Sequence, residues 1–182
     1  MSAHDIPTEE ECREIMHQHG MRDNIVRHSI QVMRVSLALV DNLREPSTIN
    51  RDLVRAGALL HDIAKTRTLE TGELRHDLIG GNLLRDKGYD DIARIVESHV
   101  VFEGFRADGP LEEREIVFYA DKRVMHDQIV SLDERIEDLI ARYGTHERIR
   151  AMIRENRAFV SALERKLQSY LIREIEDILA DL

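Results

Sequence analysis

The chain has 182 residues, of which 26 are lysine or arginine and 35 are aspartate or glutamate, so its net charge is -9. A hydrophobic fraction of 42% beside a charged fraction of 34% is typical of a folded core under a charged surface and excludes a disordered chain. We expect a single domain over residues 1–182, and no long nucleic acid as a partner, because a negative surface repels a polyanion.

The sequence carries no pattern of secretion or membrane insertion. Cys12 is the single cysteine, so no internal disulfide can form, and residues 1–7 lack the basic and then apolar pattern of a secretory signal. No apolar run approaches the ~20 residues that span a bilayer. These observations predict a cytoplasmic protein without a membrane partner.

Apolar and polar residues alternate almost nowhere over the length of a strand, which predicts an all-α fold. In chain order, the predicted helices cover 8–20, 23–43, 51–65, 77–87, 90–99 and 111–125. The first of them begins with a capping box formed by Thr8 and Glu11. Residues 102–110, FEGFRADGP, form the least regular stretch and are the candidate for a mobile loop over a site.

The C-terminal part, residues 145–182, carries an apolar stripe that predicts one long helix or two. We expect this stripe to pack on the domain. The alternative is a homodimer in which the stripe packs on a second copy of the chain.

Polar side chains stand at the ends of apolar segments. In GALLHDIAKTR, residues 57–67, an apolar run ends in His61 and Asp62, which on a helix would point about 100° apart and could bind one ion from two directions. A bound cation would remove the cost of burying the carboxylate. Asp121 ends the apolar run 116–120 in the same way, and a buried salt bridge from Asp121 to an arginine is the alternative there.

The nine histidines divide into two sets by their surroundings. One set lies on or beside stretches that we expect to be buried: His28, His61, His76 and His99. For His28 alone, a hydrogen-bonded core histidine is the alternative to a ligand. The other set lies in polar surroundings at termini or helix ends and is predicted to be solvated: His4, His17, His19, His126 and His146.

The order His28, His61-Asp62, Asp121 resembles the H…HD…D signature of the HD superfamily of metal-dependent phosphohydrolases. The resemblance implies a helical bundle with an HD core at about 22–126 and a C-terminal helical extension at about 131–182. It also implies that these four residues hold one divalent ion. His76 and His99 are placed as in members with a second ion, in which Asp62 would bridge both. Such a mixed ligand set suits Fe, Mn, Co, Ni or Zn.

Two basic positions adjoin the implied ligands. HDIAK resembles the HDIGK form of the signature, with Ala64 at the usual glycine, and Lys65 could contact a bound phosphate. The alternative for Lys65 is a surface ion pair with a nearby acid. Arg123, with Lys122, follows Asp121 and is the second candidate for neutralising phosphate charge, the alternative being solvation or pairing with acids such as Asp127.

Sequence features of individual subgroups of the HD superfamily narrow the set of members that this chain resembles. The acidic pair that follows HD in the stringent-response hydrolases is replaced here by Ala64-Lys65, and the GYP triplet of the cyclic-di-GMP phosphodiesterases is missing. The bacterial diadenosine tetraphosphate hydrolases of the superfamily have a similar layout.

The resemblance therefore implies an enzyme, a metal-dependent phosphohydrolase. It would use a metal-activated water on a nucleotide-like or other small phosphoester or phosphoanhydride, with Asp62, Lys65 and Arg123 as catalytic groups. Two alternatives stay open. An HD-type di-iron oxygenase would use the same six ligands, and Lys65 favours hydrolysis over it. A non-catalytic regulatory or binding module would have no need of a complete ligand set.

Overall fold

The structure is a computed structural model that describes residues 6–182, so the prediction for His4 lies outside the described residues. The described chain is helical apart from one short hairpin, and the all-α prediction is confirmed. The helices are α1 (Glu9–Gln18), α2 (Asp23–Asp41), a 3-10 turn (Pro46–Thr48), α3 (Arg51–Leu60), α4 (Lys65–Thr71), α5 (His76–Asp86), α6 (Asp90–Ser98), α7 (Glu113–Lys122), α8 (Leu132–Tyr143), α9 (Glu147–Tyr170) and α10 (Ile175–Ala180). The hairpin consists of β1 (Val124–Met125) and β2 (Gln128–Ile129).

The core lies between α2, α3, α6 and α7, which pack against one another. Each contributes side chains without solvent exposure, such as Val32 of α2, Leu59 of α3 and Val117 of α7. Gly57 lets α3 approach α6, because a Cβ at this position would lie 2.8 Å from side-chain carbons of Ile95. The short distance between these helices brings the ends of α3 and α6 to one place.

The predicted helix over 51–65 is divided in the structure. Helix α3 ends at Leu60, residues 61–64 form a turn, and α4 begins at Lys65. Within this turn the amide of Ile63 donates to the carbonyl of Leu60 at 3.0 Å, and the amide of Lys65 donates to that of Asp62 at 2.9 Å. Such three-residue spacing tightens the chain relative to an α-helix. His61 and Asp62 therefore lie at a junction between two helices, a division that apolar spacing alone did not predict.

The predicted helix over 111–125 is also shorter than expected. It ends at Lys122, and the chain then turns back in the hairpin, with Val124 paired to Ile129. His126, in the turn of this hairpin, has a φ of 58°, the left-handed conformation that few residues other than glycine adopt. Strands of two residues are too short to produce an alternating pattern, so the sequence showed no strand here.

The C-terminal stripe packs on the domain, as predicted. Helix α9 lies against α7 and buries Val160, Leu163 and Leu167, and α10 lies against α2. Residues 145–182 thus form two helices, α9 and α10, rather than the one long helix that the sequence also allowed. Helix α8, which precedes them, lies within the helical extension predicted at about 131–182, although no separate helix was assigned there. None of the helices in residues 6–182 combines the length and apolarity needed to cross a membrane.

Candidate metal centre

Six histidine and aspartate side chains meet at one end of the bundle, in two groups. The first ligand group consists of His28, His61 and Asp121, and the second of Asp62, His76 and His99. Within each group, one ligand atom from each residue lies within 4.8 Å of the others. The groups adjoin, because Nε2 of His61 lies 3.5 Å from Oδ2 of Asp62. The structure therefore brings together all six residues that the resemblance implied.

Each ligand stands where an element begins or ends, or on a helix face that points to this end of the bundle. The HD pair lies in the turn between α3 and α4, and His99 follows the last residue of α6. His76 is the first residue of α5. His28 and Asp121 lie on α2 and α7, which pack against each other.

Three of the four histidine rings are oriented by backbone carbonyls. The Nδ1 atoms of His28, His61 and His99 lie 2.8, 2.7 and 2.6 Å from the carbonyl oxygens of His126, Ala58 and Val96. A proton on Nδ1 satisfies each of these contacts and leaves the lone pair on Nε2. A backbone partner on one ring nitrogen is what fixes the tautomer of metal-binding histidines in proteins.

The free Nε2 atoms face carboxylate oxygens. Nε2 of His28 lies 2.9 Å from Oδ1 of Asp121, and Nε2 of His61 lies 3.7 Å from the same oxygen. In the second ligand group, the Nε2 atoms of His76 and His99 are 3.0 Å apart, and each lies 3.3 Å from Oδ1 of Asp62. Both groups thus gather nitrogen and oxygen ligand atoms around one point.

The fit to metal rests on two buried atoms that the protein leaves unsatisfied. Nε2 of His61 and Oδ1 of Asp62 have no hydrogen-bond partner within residues 6–182, and their side chains are 0% and 1% exposed. Buried polar atoms are nearly always satisfied, because an unpaired one is costly. A divalent cation in each group would satisfy both atoms, and mixed imidazole and carboxylate ligands suit transition metals. The residues present therefore fit a pair of divalent cations.

The electrostatics favour the protonation states that bind metal. Burial lowers the pKa of His61 to about 4, so its imidazole is neutral at pH 7. Burial raises the pKa of Asp62, but the neighbouring His61 and the Lys65 ammonium outweigh burial and hold that pKa well below its usual range. Burial also raises the pKa of Asp121, but Lys122 and His28 outweigh burial and hold that pKa well below its usual range. Neutral imidazoles and ionised carboxylates are the forms that coordinate cations.

Two lysines adjoin the ligand groups. Nζ of Lys65 lies 2.7 Å from Oδ2 of Asp62, a residue of the second ligand group. The ion pair that was the alternative role for Lys65 is therefore formed with a candidate ligand. Burial opposes the charge of Lys65, but Asp62 outweighs burial and raises the pKa of the lysine. Nζ of Lys122 lies 2.6 Å from Oδ2 of Asp121 and donates to the carbonyl of His99 at 3.1 Å. Asp121 is thus paired with Lys122 and His28, not with an arginine.

The side chain of Arg123 donates to residues outside the two ligand groups, so its contacts give no support to the catalytic role predicted for it. Its side chain is 2% exposed and donates to three oxygens of the core and the C-terminal helices: the Val130 carbonyl, the Tyr119 hydroxyl and a carboxylate oxygen of Glu176, at 2.8 to 2.9 Å. The predicted alternative partner, Asp127, pairs with Arg27 instead. These contacts tie the end of α7 to the residue after the hairpin and to α10.

A cavity of about 160 Å³ opens on the ligand groups. Its lining includes His28, Asp62 and Lys65, together with three residues of α8: Arg135, Leu139 and Arg142. No residue of the segment 102–110 lines this cavity. The site is therefore walled by α8, and the sequence prediction of a loop over the site was wrong about which segment lies there.

The segment 102–110 is held against the C-terminal helices instead. Nζ of Lys166 donates to the carbonyls of Arg106 and Pro110, both at 2.9 Å, and pairs with Glu115 at 2.7 Å. The ring of Phe105 contacts that of Phe159, with centroids 5.1 Å apart. These contacts make the segment part of the packing between α7 and α9.

Sequence reasoning assigned no separate helix at α8 within the predicted extension, and it did not single out the two arginines of this helix. A capping box marks the start of the helix, where the Ser131 and Glu134 side chains each accept from the other residue's backbone amide. The seven-residue spacing of Arg135 and Arg142 places them on one helix face. These features were present in the sequence and could have indicated the helix. Of the histidines predicted to be solvated, His17, His126 and His146 are exposed, whereas His19 is half-buried.

Comparison with known proteins identifies a family and several relatives of this chain. The family model for the HD domain matches residues 25–126. A tRNA (cytidine(56)-2'-O)-methyltransferase of Picrophilus torridus is 32% identical over 97% of this chain and 51% of its own length. An uncharacterised protein of Methanocaldococcus jannaschii is 28% identical over 72% of this chain and 85% of its own length. A dihydroneopterin 2',3'-cyclic phosphate phosphodiesterase of the same organism is 39% identical over 33% of this chain and 25% of its own length.

This chain thus spans about half the length of the Picrophilus protein. No solved structure matches the chain at a significant level. The family match covers more than half of the chain and contains all six residues of the two ligand groups. The chain belongs to the HD domain family, which is part of a superfamily of metal-dependent hydrolases.

Proposed function

We propose that this chain is a phosphohydrolase that uses two divalent cations to hydrolyse a small phosphoester or phosphoanhydride of the nucleotide type. One observation carries the proposal: Nε2 of His61 and Oδ1 of Asp62 are buried, face the other ligand atoms and lack hydrogen-bond partners within the described chain. A purely structural cluster has no reason to leave such atoms unsatisfied.

The ligand assignment follows from the two groups. His28, His61 and Asp121 would hold one cation, and His76 and His99 the other, with Asp62 shared between them. Oδ2 of Asp62 faces His61, whereas Oδ1 faces His76 and His99, so its two oxygens point to different groups. Divalent cations at such sites make water a nucleophile at neutral pH and polarise the phosphoryl group.

The protein's own residues supply orientation and charge. Lys65 lines the cavity with a side chain that is 39% exposed, so its ammonium is available to neutralise a phosphoryl oxygen during attack. Lys122 is bonded to Asp121 and to the His99 carbonyl, and so holds one residue of each ligand group in place. We therefore assign Lys65 a catalytic role and Lys122 a positioning role.

The relatives support the reaction class but leave the substrate open. The name of the phosphodiesterase relative describes cleavage of a phosphoester, which agrees with the chemistry of the cluster. The methyltransferase relative matches this chain over about half of its own length. A cage of imidazoles and carboxylates suits the activation of water more directly than methyl transfer, so hydrolysis is the activity that the site supports.

The test combines metal analysis with a substrate panel. Metal content is measured on the purified chain, after chelation and after reloading with Mn, Fe, Co, Ni or Zn. Each form is assayed on phosphomonoesters, linear and 2',3'-cyclic phosphodiesters, and dinucleoside polyphosphates. We expect about two ions per chain, one for each ligand group, and hydrolysis that chelation abolishes and reloading restores. A fully loaded protein that hydrolyses none of these compounds would refute the proposal. Dioxygen consumption by an iron-loaded but hydrolytically inactive form would favour an oxygenase instead.

A further inference from the structure

More cationic than anionic side chains line the cavity beside the ligand groups, in contrast to the chain as a whole. Three cationic side chains line it, Lys65, Arg135 and Arg142, against one carboxylate, that of Asp62. The full chain carries a net charge of -9, so this concentration of cations is local. A cleft with one sign of charge attracts ligands of the opposite sign.

The two arginines are held in place by one acid. Asp138, which is 16% exposed, pairs through Oδ2 with Nη1 of Arg135 at 3.2 Å and through Oδ1 with Nε of Arg142 at 2.7 Å. Because one carboxylate serves two guanidinium groups, their charges are only partly compensated. Side chains that are held in place before binding also lose less freedom when an anion binds them.

The arginines retain donors for a ligand. Nε of Arg135 is buried and has no hydrogen-bond partner within residues 6–182. Nη2 of Arg142 lies 2.8 Å from Nε2 of His126, and the carbonyl of His126 accepts from His28. This contact holds Arg142 beside the first ligand group. A planar guanidinium presents several donors and suits recognition of phosphate oxygens.

The position of these arginines separates them from the shared catalytic site. They belong to α8, which lies outside the range matched by the family model, residues 25–126. The cavity, at about 160 Å³, is smaller than the ~300–1,000 Å³ of pockets that enclose a drug-sized ligand. A cavity of this size would hold the phosphate groups of a nucleotide-type substrate, with the rest of the substrate outside it.

We propose that Arg135 and Arg142 bind a second phosphate group of the substrate while the scissile one lies at the ligand groups and Lys65. The preferred substrates would then be small phosphoesters or phosphoanhydrides that carry at least two phosphate groups close together. This inference rests on the proposed function, because it assigns the scissile phosphate to the ligand groups.

The test measures binding, so that it does not depend on turnover. Titration calorimetry compares methylphosphonate with methylenediphosphonate, a non-hydrolysable pair that differs by one phosphonate group. The protein is the 182-residue chain with the metal it carries after purification. The variants are Arg135→Gln and Arg142→Gln, with Arg148→Gln as the control, since Arg148 is exposed on α9 and does not line the cavity. Metal content and circular dichroism are recorded for each protein.

We expect the wild type to bind the diphosphonate at least about tenfold more tightly than the monophosphonate. Each cavity variant should lose at least about fivefold of this preference while its affinity for the monophosphonate changes less than about twofold. Arg148→Gln should retain the full preference. Chelation of metal by the diphosphonate would be equal in all variants. A variant that differs from wild type in its preference for the diphosphonate therefore reports on the arginines and not on the metal.

Two outcomes would overturn the inference: no preference in the wild type, or a preference that both cavity variants retain. If Arg135→Gln does not fold, Arg142→Gln decides alone, because its side chain is 41% exposed and tolerates substitution more readily. A preference that depends on these arginines in a protein without hydrolytic activity would leave the anion site in place and remove the proposed function. Hydrolysis without that preference would support the proposed function and refute the second phosphate site.

Discussion

The two ligand groups differ in how the protein holds them. In the first, both histidine rings are oriented by backbone carbonyls, and all three side chains are buried. In the second, His76 is 24% exposed and starts α5 immediately after Arg75, which has a φ of 64° and pairs with Asp77 at 2.7 Å. The first group is therefore part of the bundle core, whereas the second depends on a helix start at the surface. We expect a cation in the first group to be held more firmly.

Asp62→Ala should have the largest effect, because Asp62 is the residue that faces both groups. We expect loss of both ions and a fall in turnover of at least about 10³-fold, as for removal of an essential catalytic group. Metal analysis and steady-state kinetics measure these changes. Asp52→Ala, at an exposed position on α3, is the control and should keep metal and rate. Retention of metal and activity by Asp62→Ala would refute the assignment of the whole centre.

Substitution of one histidine from each group tests the comparison directly. We expect His76→Ala to retain about one ion and to unfold at nearly the wild-type temperature, because His76 is partly exposed. His61→Ala should lose the ion of the first group and lower the free energy of unfolding by about 1–3 kcal/mol, because it leaves a hole at a fully buried position. Metal stoichiometry and thermal unfolding are the measurements. Equal metal loss and equal destabilisation in the two variants would remove the distinction between the groups.

Lys65→Ala should retain both ions and lose rate. Its ammonium pairs with Asp62 but is not a ligand, so we expect unchanged metal content and a fall in kcat of about 10²-fold, similar to the loss of one group that stabilises transition-state charge. Lys87→Ala, at an exposed position after α5, is the control. A variant at Lys65 that keeps its full rate would show that the lysine acts only as a counter-ion of Asp62.

Arg123→Gln should have the smallest effect on the centre. Because Arg123 donates to Tyr119, Val130 and Glu176, we expect metal content and rate close to wild type. The free energy of unfolding should fall by about 2 kcal/mol, since the hydrogen bonds of a buried charged donor to the Tyr119 hydroxyl and the Val130 carbonyl would be lost. Chemical denaturation and kinetics on the same preparation separate the two effects. A large loss of rate with unchanged stability would return Arg123 to the catalytic groups.

Apolar spacing predicted the helical bundle, whereas the complete set of six residues came from the resemblance to the HD signature. Apolar spacing indicates helices, and polar residues at the ends of apolar runs indicate where the helices meet. The division at residues 61–64 was not visible, because it consists of a change in backbone hydrogen bonding, which apolar spacing does not report. The hairpin at 124–129 was missed because two-residue strands have no period, and its turn depends on the left-handed His126.

The interpretation of individual basic residues depended on tertiary contacts that no local pattern encodes. Lys65 and Arg123 each follow an aspartate of the cluster, yet one lies beside the ligands and the other is buried against Tyr119 and Glu176. The partner Glu176 lies on α10, far along the chain. Likewise, the loop at 102–110 looked mobile because the sequence does not show that Lys166 of α9 binds two of its carbonyls.

The contact between His28 and the His126 carbonyl has a consequence for the order of folding. His28 comes early in the chain, whereas the carbonyl that orients its ring belongs to a turn 98 positions later. During synthesis, the first cation site cannot acquire its final geometry until that turn has left the ribosome and closed against α2. A cation would then bind late, and it would bind only to chains whose core has already assembled.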